Sequence, residues 1–201
     1  NIDSKTNFKK NYIAFLPGSR LNELKKLLPY FQIAHDYILE NNIDHKIFIP
    51  TLPHLKEKLL HFTKNWKIKT TVTTNVFEIE NFYLETSKAI VCSGTASLEI
   101  AKRNIPQFVI YKLNFITELI IKSFIQVNYA NIINIMENKM IIPEITNSKL
   151  NKKSFLINLN KLINLDKKNK IQINSINNTL VRFETQTQPY TFAAERINSY
   201  L

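Results

Sequence analysis

Tyr12-Ile13-Ala14-Phe15-Leu16-Pro17-Gly18-Ser19-Arg20-Leu21 is the stretch whose pattern decides the fold. Five apolar residues in a row predict a short strand buried on both faces, as in a parallel sheet. Pro-Gly then breaks the run, and Leu21, Leu24, Leu28, Phe31 and Ile38 fall on one stripe of a helix. The rhythm repeats outward. Strands are predicted at 46–49, 68–73, 89–92 and 107–111, with helices at 54–64, 76–85 and 95–103 between them. Pro50 and Pro53 close the second strand and Pro106 opens the fifth. Such alternation predicts an α/β fold, a doubly wound parallel sheet of Rossmann type with right-handed crossovers. From Lys149 onward the chain is Asn/Lys-rich and helical in pattern, with a last helix, residues 186–201, opening near Pro189. With no internal repeat and no linker, 1–201 reads as a single domain.

Glycine is the unusual entry in the composition. An average chain of 201 residues would carry roughly 14, and this one has 2, Gly18 and Gly94. Codon preference for Asn, Ile and Lys accounts for much of the scarcity, so a glycine that survives is expected where no other residue fits the backbone. The net charge of +11 favours anionic partners, although lysines scattered by composition give the same total. They are dispersed and lack aromatic RNA-binding motifs, so nucleic acid is not expected as a partner. One cysteine, Cys92, excludes an internal disulfide. It reads as a small buried strand residue, since no histidine partner for a nucleophile is evident. The four histidines lack zinc-ligand spacing, so no metal and no cofactor are expected. No apolar run approaches the ~20 residues of a membrane span. A start at Asn1 leads to the expectation of a fragment.

Both glycines fall at the end of a strand and just before a helix, where parallel α/β sheets bind their ligands. A helix N-terminus there offers free N–H groups and the positive end of a dipole, suited to phosphate. In Ser93-Gly94-Thr95, Gly94 lets the backbone come close to a ligand, and Ser93 or Thr95 can cap the helix or donate a hydroxyl. In Gly18-Ser19-Arg20, Arg20 adds a planar fork of donors. Either loop alone reads first as a plain turn needing positive φ, but two together favour a diphosphate. No Walker-type GxxxxGK[ST] is present. Glu99, one turn into the helix after Thr95, can accept hydrogen bonds from ribose hydroxyls, or be a solvated charge offset by Lys102 and Arg103.

Phe15-Leu16-Pro17-Gly18-Ser19-Arg20-Leu21-Asn22-Glu23-Leu24, with Leu27-Leu28-Pro29 behind it, resembles the LLPGSRxxEIxxLLP stretch of the lipid-A-disaccharide synthase family. Ser93-Gly94-Thr95-Ala96-Ser97-Leu98-Glu99, continuing through Ile105-Pro106 to Tyr111-Lys112, resembles its SGTATLE block and the Pro and YK that follow. A third block, Tyr129 to Asn134 and then Ile141-Ile142-Pro143-Glu144, is similar to its YxxxxN and VPE segment. The likeness runs from about Asn11 to Asn147, with a weaker echo from Ala193-Ala194 to Leu201.

That resemblance implies the C-terminal, nucleotide-sugar half of a two-domain GT-B glycosyltransferase. The implied reaction joins UDP-2,3-diacylglucosamine to 2,3-diacylglucosamine-1-phosphate with release of UDP. The implied place is the cytoplasmic face of a Gram-negative inner membrane, peripheral on its anionic surface, with a homodimer among the permitted assemblies. The catalytic base is expected in an N-terminal half outside this chain. By resemblance Gly18, Ser19 and Arg20 face the diphosphate, Ser93, Gly94 and Thr95 hold it at the helix N-terminus, and Glu99 takes the ribose. Tyr111, Lys112 and Asn134 are expected near the donor pocket. Two departures stand out: Asn138-Lys139-Met140 replaces the family's frequent Gly-Arg-Glu, and its PExxQ ends here in Asn147. Residues 114–129 read as an amphipathic helix, either facing lipid or packed on the domain. The competing readings are a non-catalytic nucleotide-binding relic, a peptidoglycan N-acetylglucosaminyltransferase, or a UDP-N-acetylglucosamine 2-epimerase. The PGSRxxE loop speaks against the last two.

Overall fold

In the computed structural model, which describes residues 10–92, 94–112 and 129–183, the opening strand is buried at every position. This strand, β1 (Tyr12–Leu16), divides its side chains between two cores. Ile13 and Phe15 join one, while Tyr12, Ala14 and Leu16 join the other. A strand with a hydrophobic layer on each side has no polar face, which is why its sequence is a continuous apolar run rather than an alternation.

The elements follow in the expected order. α1 (Leu21–Glu40), β2 (Lys46–Pro50), α2 (Pro53–Thr63), β3 (Thr70–Thr73) and α3 (Val76–Leu84) form the first half. β4 (Thr86–Cys92), α4 (Thr95–Lys102), β5 (Gln107–Tyr111), α5 (Ile132–Glu137) and β6 (Glu144–Thr146) form the second. Two further helices, α6 (Lys152–Asn164) and α7 (Asp166–Phe183), complete the described chain. All six strands are parallel, in the order β3-β2-β1-β4-β5-β6. The connection therefore reverses direction between β1 and β4, the switch point of a doubly wound sheet. One face is covered through Leu24, Phe31, Leu55, Phe155 and Leu159 of α1, α2 and α6. The other is covered through Tyr83, Ile100, Ala101 and Ile176 of α3, α4 and α7.

Three expectations are corrected. The sheet has a sixth strand, β6, too short at three residues to show a pattern of its own. Leu21 leaves the predicted stripe and is exposed, because it begins α1 beyond the edge of the sheet, and Leu27 takes its place in the core. β4 starts three residues early, at Thr86, through the polar Thr86-Ser87-Lys88 segment that hid it. The predicted helices at 114–129 and 186–201 fall on residues outside those described, apart from Tyr129.

Four asparagines, Asn42, Asn104, Asn138 and Asn147, have φ between 47° and 55°. They occupy left-handed positions in turns and at helix ends, where glycine is usual and asparagine is the best tolerated substitute. Asn138 ends α5 in this way, so the departure from the family's Gly at that point preserves the backbone turn. The two glycines differ. Gly18 has φ +100° and Gly94 has φ 129°, ψ −158°, and the latter region is open to glycine alone.

Candidate functional site

β1 and β4 are neighbours, with Leu16 opposite Val91, so the loops that follow them emerge side by side. Each carries one of the two glycines, and each leads directly into a helix, α1 or α4. Between them opens a cleft of about 580 Å³, which extends across the end of β2 to Thr51 and Leu52.

Gly18, Ser19, Arg20, Gly94, Thr95 and Glu99 all line this cleft. Two strand ends therefore bring together residues separated by more than seventy positions in sequence. The two glycines serve different needs. A Cβ on Gly18 would lie 3.0 Å from Glu23 Oε2 and 3.2 Å from Cys92 Sγ, so the close approach there is to the protein itself. A Cβ on Gly94 would meet nothing within 4 Å, and its backbone angles alone demand glycine. Gly94 is also the N-cap of α4, and among the described residues no side chain caps that helix. The capping role expected of Thr95 is corrected accordingly: Thr95 is the first helical residue, and the N-terminal N–H groups of α4 are left to the cleft. Ser93 lies outside the described residues.

Arg20 is 78% exposed and its Nη1 pairs with Glu23 Oε1 at 3.2 Å. Glu23, in the first turn of α1, was quoted in the sequence motif without a role and proves to line the cleft floor beside Cys92. Cys92 is buried, and burial, with a further contribution from Glu23, pushes its thiol up to about 12. It remains a protonated, unreactive packing group, as its sequence context suggests.

Glu99 is both at the cleft and in an ion pair. Its carboxylate borders the cleft, and its Oε1 lies 3.4 Å from Arg103 Nη1. Arg103 also bonds Glu80 of α3 at 2.5 Å and covers the ring of Tyr83 at 4.6 Å. Tyr83, with Ile79 one turn before it, forms the α3 wall of the cleft. Burial raises the Tyr83 phenol well above its usual range, Glu99 adds to the rise, and Arg103 opposes it. The Glu99–Arg103 pair is legible in the sequence as an i,i+4 spacing, whereas Tyr83 and Glu80 carry no such signal, because α3 meets α4 only through tertiary packing.

Tyr111, Lys112 and Asn134 are not among the cleft-lining residues, although Tyr111 lies close enough to feel the charges of Glu23 and Arg20. Tyr111 and Lys112 lie at the end of β5, one strand further along, and Lys112 Nζ rests 6.0 Å from the Tyr30 ring. Asn134 is fully buried, and its amide is used within the fold. It donates to Ile142 O at 2.7 Å and accepts from the N–H groups of Ile141 and Ile142, closing the turn into β6. It is also hydrogen-bonded to Glu144, so the amide braces the segment from α5 to β6. Glu144, in the same segment, accepts from the backbone N–H groups of Ala130 and Asn131 ahead of α5. Burial raises its carboxyl above the usual range against the pull of those donors.

Among the described residues no lysine lines the cleft, and Arg20 is the one cationic side chain there. Positive potential in the cleft comes from Arg20 and from the N-terminal ends of α1 and α4. Donors therefore cluster in the middle, around Ser19, Arg20, Gly94 and Thr95, and a carboxylate acceptor stands at the edge. Among the described residues no cluster of His, Cys, Asp or Glu has the makings of a metal site, and no helix is long and apolar enough to cross a membrane.

Comparison with known proteins agrees with the three sequence blocks. A family profile for lipid-A-disaccharide synthetase matches residues 2–195. Lipid-A-disaccharide synthase of Rhodospirillum centenum is 24% identical over 164 residues, 82% of this chain and 41% of that protein. The Wigglesworthia glossinidia brevipalpis synthase is 32% identical over 150 residues, 72% of this chain and 38% of its own length. The chain thus spans less than half the length of these relatives. Among solved structures, TarM superposes with a TM-score of 0.58 at 10% identity, over 94% of this chain and 35% of that one. A Listeria monocytogenes protein assigned as a UDP-N-acetylglucosamine 2-epimerase gives 0.54 at 15% identity, over 84% and 41%. At such identities the two structures speak for a shared fold.

Proposed function

Since this chain belongs to the lipid-A-disaccharide synthetase family, we propose that it is the UDP-sugar-binding half of a glycosyltransferase of lipid A biosynthesis. The donor would be UDP-2,3-diacylglucosamine and the acceptor 2,3-diacylglucosamine-1-phosphate. The observation that carries this reading is the pairing of Gly18 and Gly94 at adjacent strand ends, with Arg20 and two helix N-termini turned to one cleft.

Transfer of the sugar leaves negative charge on the UDP phosphates, and the reaction proceeds as fast as that charge is stabilised. In this reading the N–H groups at the start of α4 and the hydroxyls of Ser19 and Thr95 receive the diphosphate. Arg20 leaves Glu23 to join them, an exchange made easy by its exposure. Glu99 accepts the ribose hydroxyls. Stabilisation of the leaving group then requires no metal ion. The proton of the acceptor hydroxyl is taken by a base in the N-terminal half, which completes the active site across the cleft. The complete enzyme acts at the cytoplasmic face of the inner membrane.

The matched residues of this chain correspond to 41% and 38% of two synthases. The decisive measurement is disaccharide formation from acylated donor and acceptor. The chain alone is expected to bind UDP and show no turnover, and turnover is expected to appear when an N-terminal half is supplied. Robust turnover by the chain alone would refute the placement of the base. UDP binding with no turnover in the presence of a competent N-terminal half would identify a non-catalytic binding module instead.

A further inference from the structure

Arg103 lies at the C-terminal end of α4, outside the cleft, yet two of the groups it touches line it. Its Nη1 lies 3.2 Å from the Glu99 carbonyl oxygen and 3.4 Å from Glu99 Oε1. Its Nη2 bonds Glu80 Oε1 at 2.5 Å, and its carbon Cζ lies 4.6 Å from the centre of the Tyr83 ring. One planar cation thus meets two oxygens of Glu99, a carboxylate on α3 and an aromatic face. A lysine has one nitrogen and cannot fill all four places.

Stability alone is a poor explanation for this arrangement. The Glu80 and Glu99 side chains are 55% and 45% exposed, and ion pairs in such settings contribute little. What the arrangement does accomplish is directional. Unpaired, Glu99 would sample several rotamers at the edge of the cleft. With Oε1 held by a guanidinium that is itself fixed to α3, the carboxylate keeps one orientation, and Oε2 has no partner among the described residues.

We propose that Arg103 is a positioning residue for ribose recognition: tied to Glu80 and seated on Tyr83, it holds Glu99 ready to accept the nucleotide's sugar hydroxyls. This rests on the reading of Glu99 as the ribose acceptor. The hydroxyls to be recognised are those of a ribonucleoside diphosphate, so the device is one of specificity for ribose over deoxyribose.

The test is calorimetric titration of the 201-residue chain with UDP, 2′-deoxy-UDP and 3′-deoxy-UDP. The wild-type chain is expected to prefer UDP over at least one analogue by about tenfold or more, the value of a hydrogen bond to a charged acceptor. Arg103→Ala and Arg103→Lys are expected to cut that preference at least about threefold, while affinity for the discriminated analogue changes less than about twofold. Glu80→Gln, which keeps the Arg103–Glu99 pair and loosens its anchor, is expected to cut it by a smaller factor. It also provides the test if the Arg103 variants fail to fold. An unchanged preference in the Arg103 variants, or in Glu80→Gln where those cannot be purified, would overturn the proposal. If Glu99→Gln abolishes the preference and the Arg103 variants leave it intact, only the positioning role falls. If Glu99→Gln leaves it intact, or if the wild-type chain shows none, the ribose role of Glu99 falls as well.

Discussion

The Cβ that Gly18 lacks would stand 3.2 Å from the sulfur of Cys92, so the tip of the first strand rests directly on the end of the fourth. The loop that presents Ser19 and Arg20 is seated on the protein by this contact. Alanine at 18 must displace either the Cys92 sulfur or the Glu23 carboxylate and also hold φ near +100°.

Gly18→Ala and Gly94→Ala are each expected to destabilise the chain by about 1–3 kcal/mol, the cost of a strained backbone conformation. Asn104→Gly, at φ 55°, is expected to change stability by less than about 1 kcal/mol. Urea titrations of the three variants check the contrast. A fully stable Gly94→Ala would show that the loop can adopt another conformation.

Cys92 is expected to resist iodoacetamide at pH 8 in the folded chain and to react promptly in denaturant, read as mass shift against time. Its thiol, ordinarily near 9, is raised by burial to about 12. A group raised on folding contributes stability in its protonated form. That contribution is whole below about pH 9 and is lost as the pH climbs toward 12. Rapid labelling of the native chain at pH 8 would contradict the burial.

Arg20→Ala and Glu99→Ala are each expected to weaken UDP binding by roughly 1.5–3 kcal/mol, the range for hydrogen bonds to charged groups. Calorimetry is the measurement. Wild-type affinity in both variants would remove the diphosphate and ribose roles together.

Gln172→Leu is expected to cost at least about 2 kcal/mol of stability. The Gln172 amide accepts from Gln107 N and donates to Gln107 O, both at 2.8 Å, and leucine leaves two buried backbone groups without partners. Denaturant unfolding gives the value, and a loss below about 0.5 kcal/mol would mean that water reaches the site.

Among the described residues no lysine lines the cleft, and the net charge of +11 favours an anionic surface as a partner. Binding to vesicles containing phosphatidylglycerol is expected to weaken steeply between 0.1 M and 1 M salt, as the screening length falls from about 10 Å to about 3 Å. Sedimentation of vesicles at the two salt concentrations measures it, and salt-independent binding would point to insertion of apolar side chains.

The parts of the fold legible in the sequence were those where one local pattern had one physical cause. β1 and β5 are apolar because both of their faces are covered, and their bounds coincide with the apolar runs at 12–16 and 107–111. The two glycine loops were legible for a similar reason, since few residues suit a strand end with positive φ. β6 was hidden, since a three-residue edge strand leaves no periodicity to read. The structural part played by Asn134 was not legible, because a polar residue within a recognisable block looks like a ligand contact, and only the tertiary turn shows its amide bonded to the backbone. The Glu99–Arg103 pair could be read from its spacing, but the contacts of Arg103 with Glu80 and Tyr83 were out of reach. Those contacts depend on how α3 packs against α4, and no single segment records that.

The amide chain behind the cleft also determines what can move when a ligand arrives. Gln172 binds Gln107, Gln107 exchanges two hydrogen bonds with Ser97 at 2.9 Å each, and Asn131 donates to the Ser97 hydroxyl. Ser97 belongs to the first turn of α4, so that helix is bolted from the rear to a strand, a distant helix and the segment before α5. Advancing it toward a ligand would break several buried bonds at once. If the cleft receives a diphosphate as proposed, the entropy of assembling its walls is spent during folding, and little is left to lose on binding. In that reading adjustment falls to Arg20, an exposed side chain that would exchange Glu23 for the ligand, so association should proceed without a slow rearrangement of the domain.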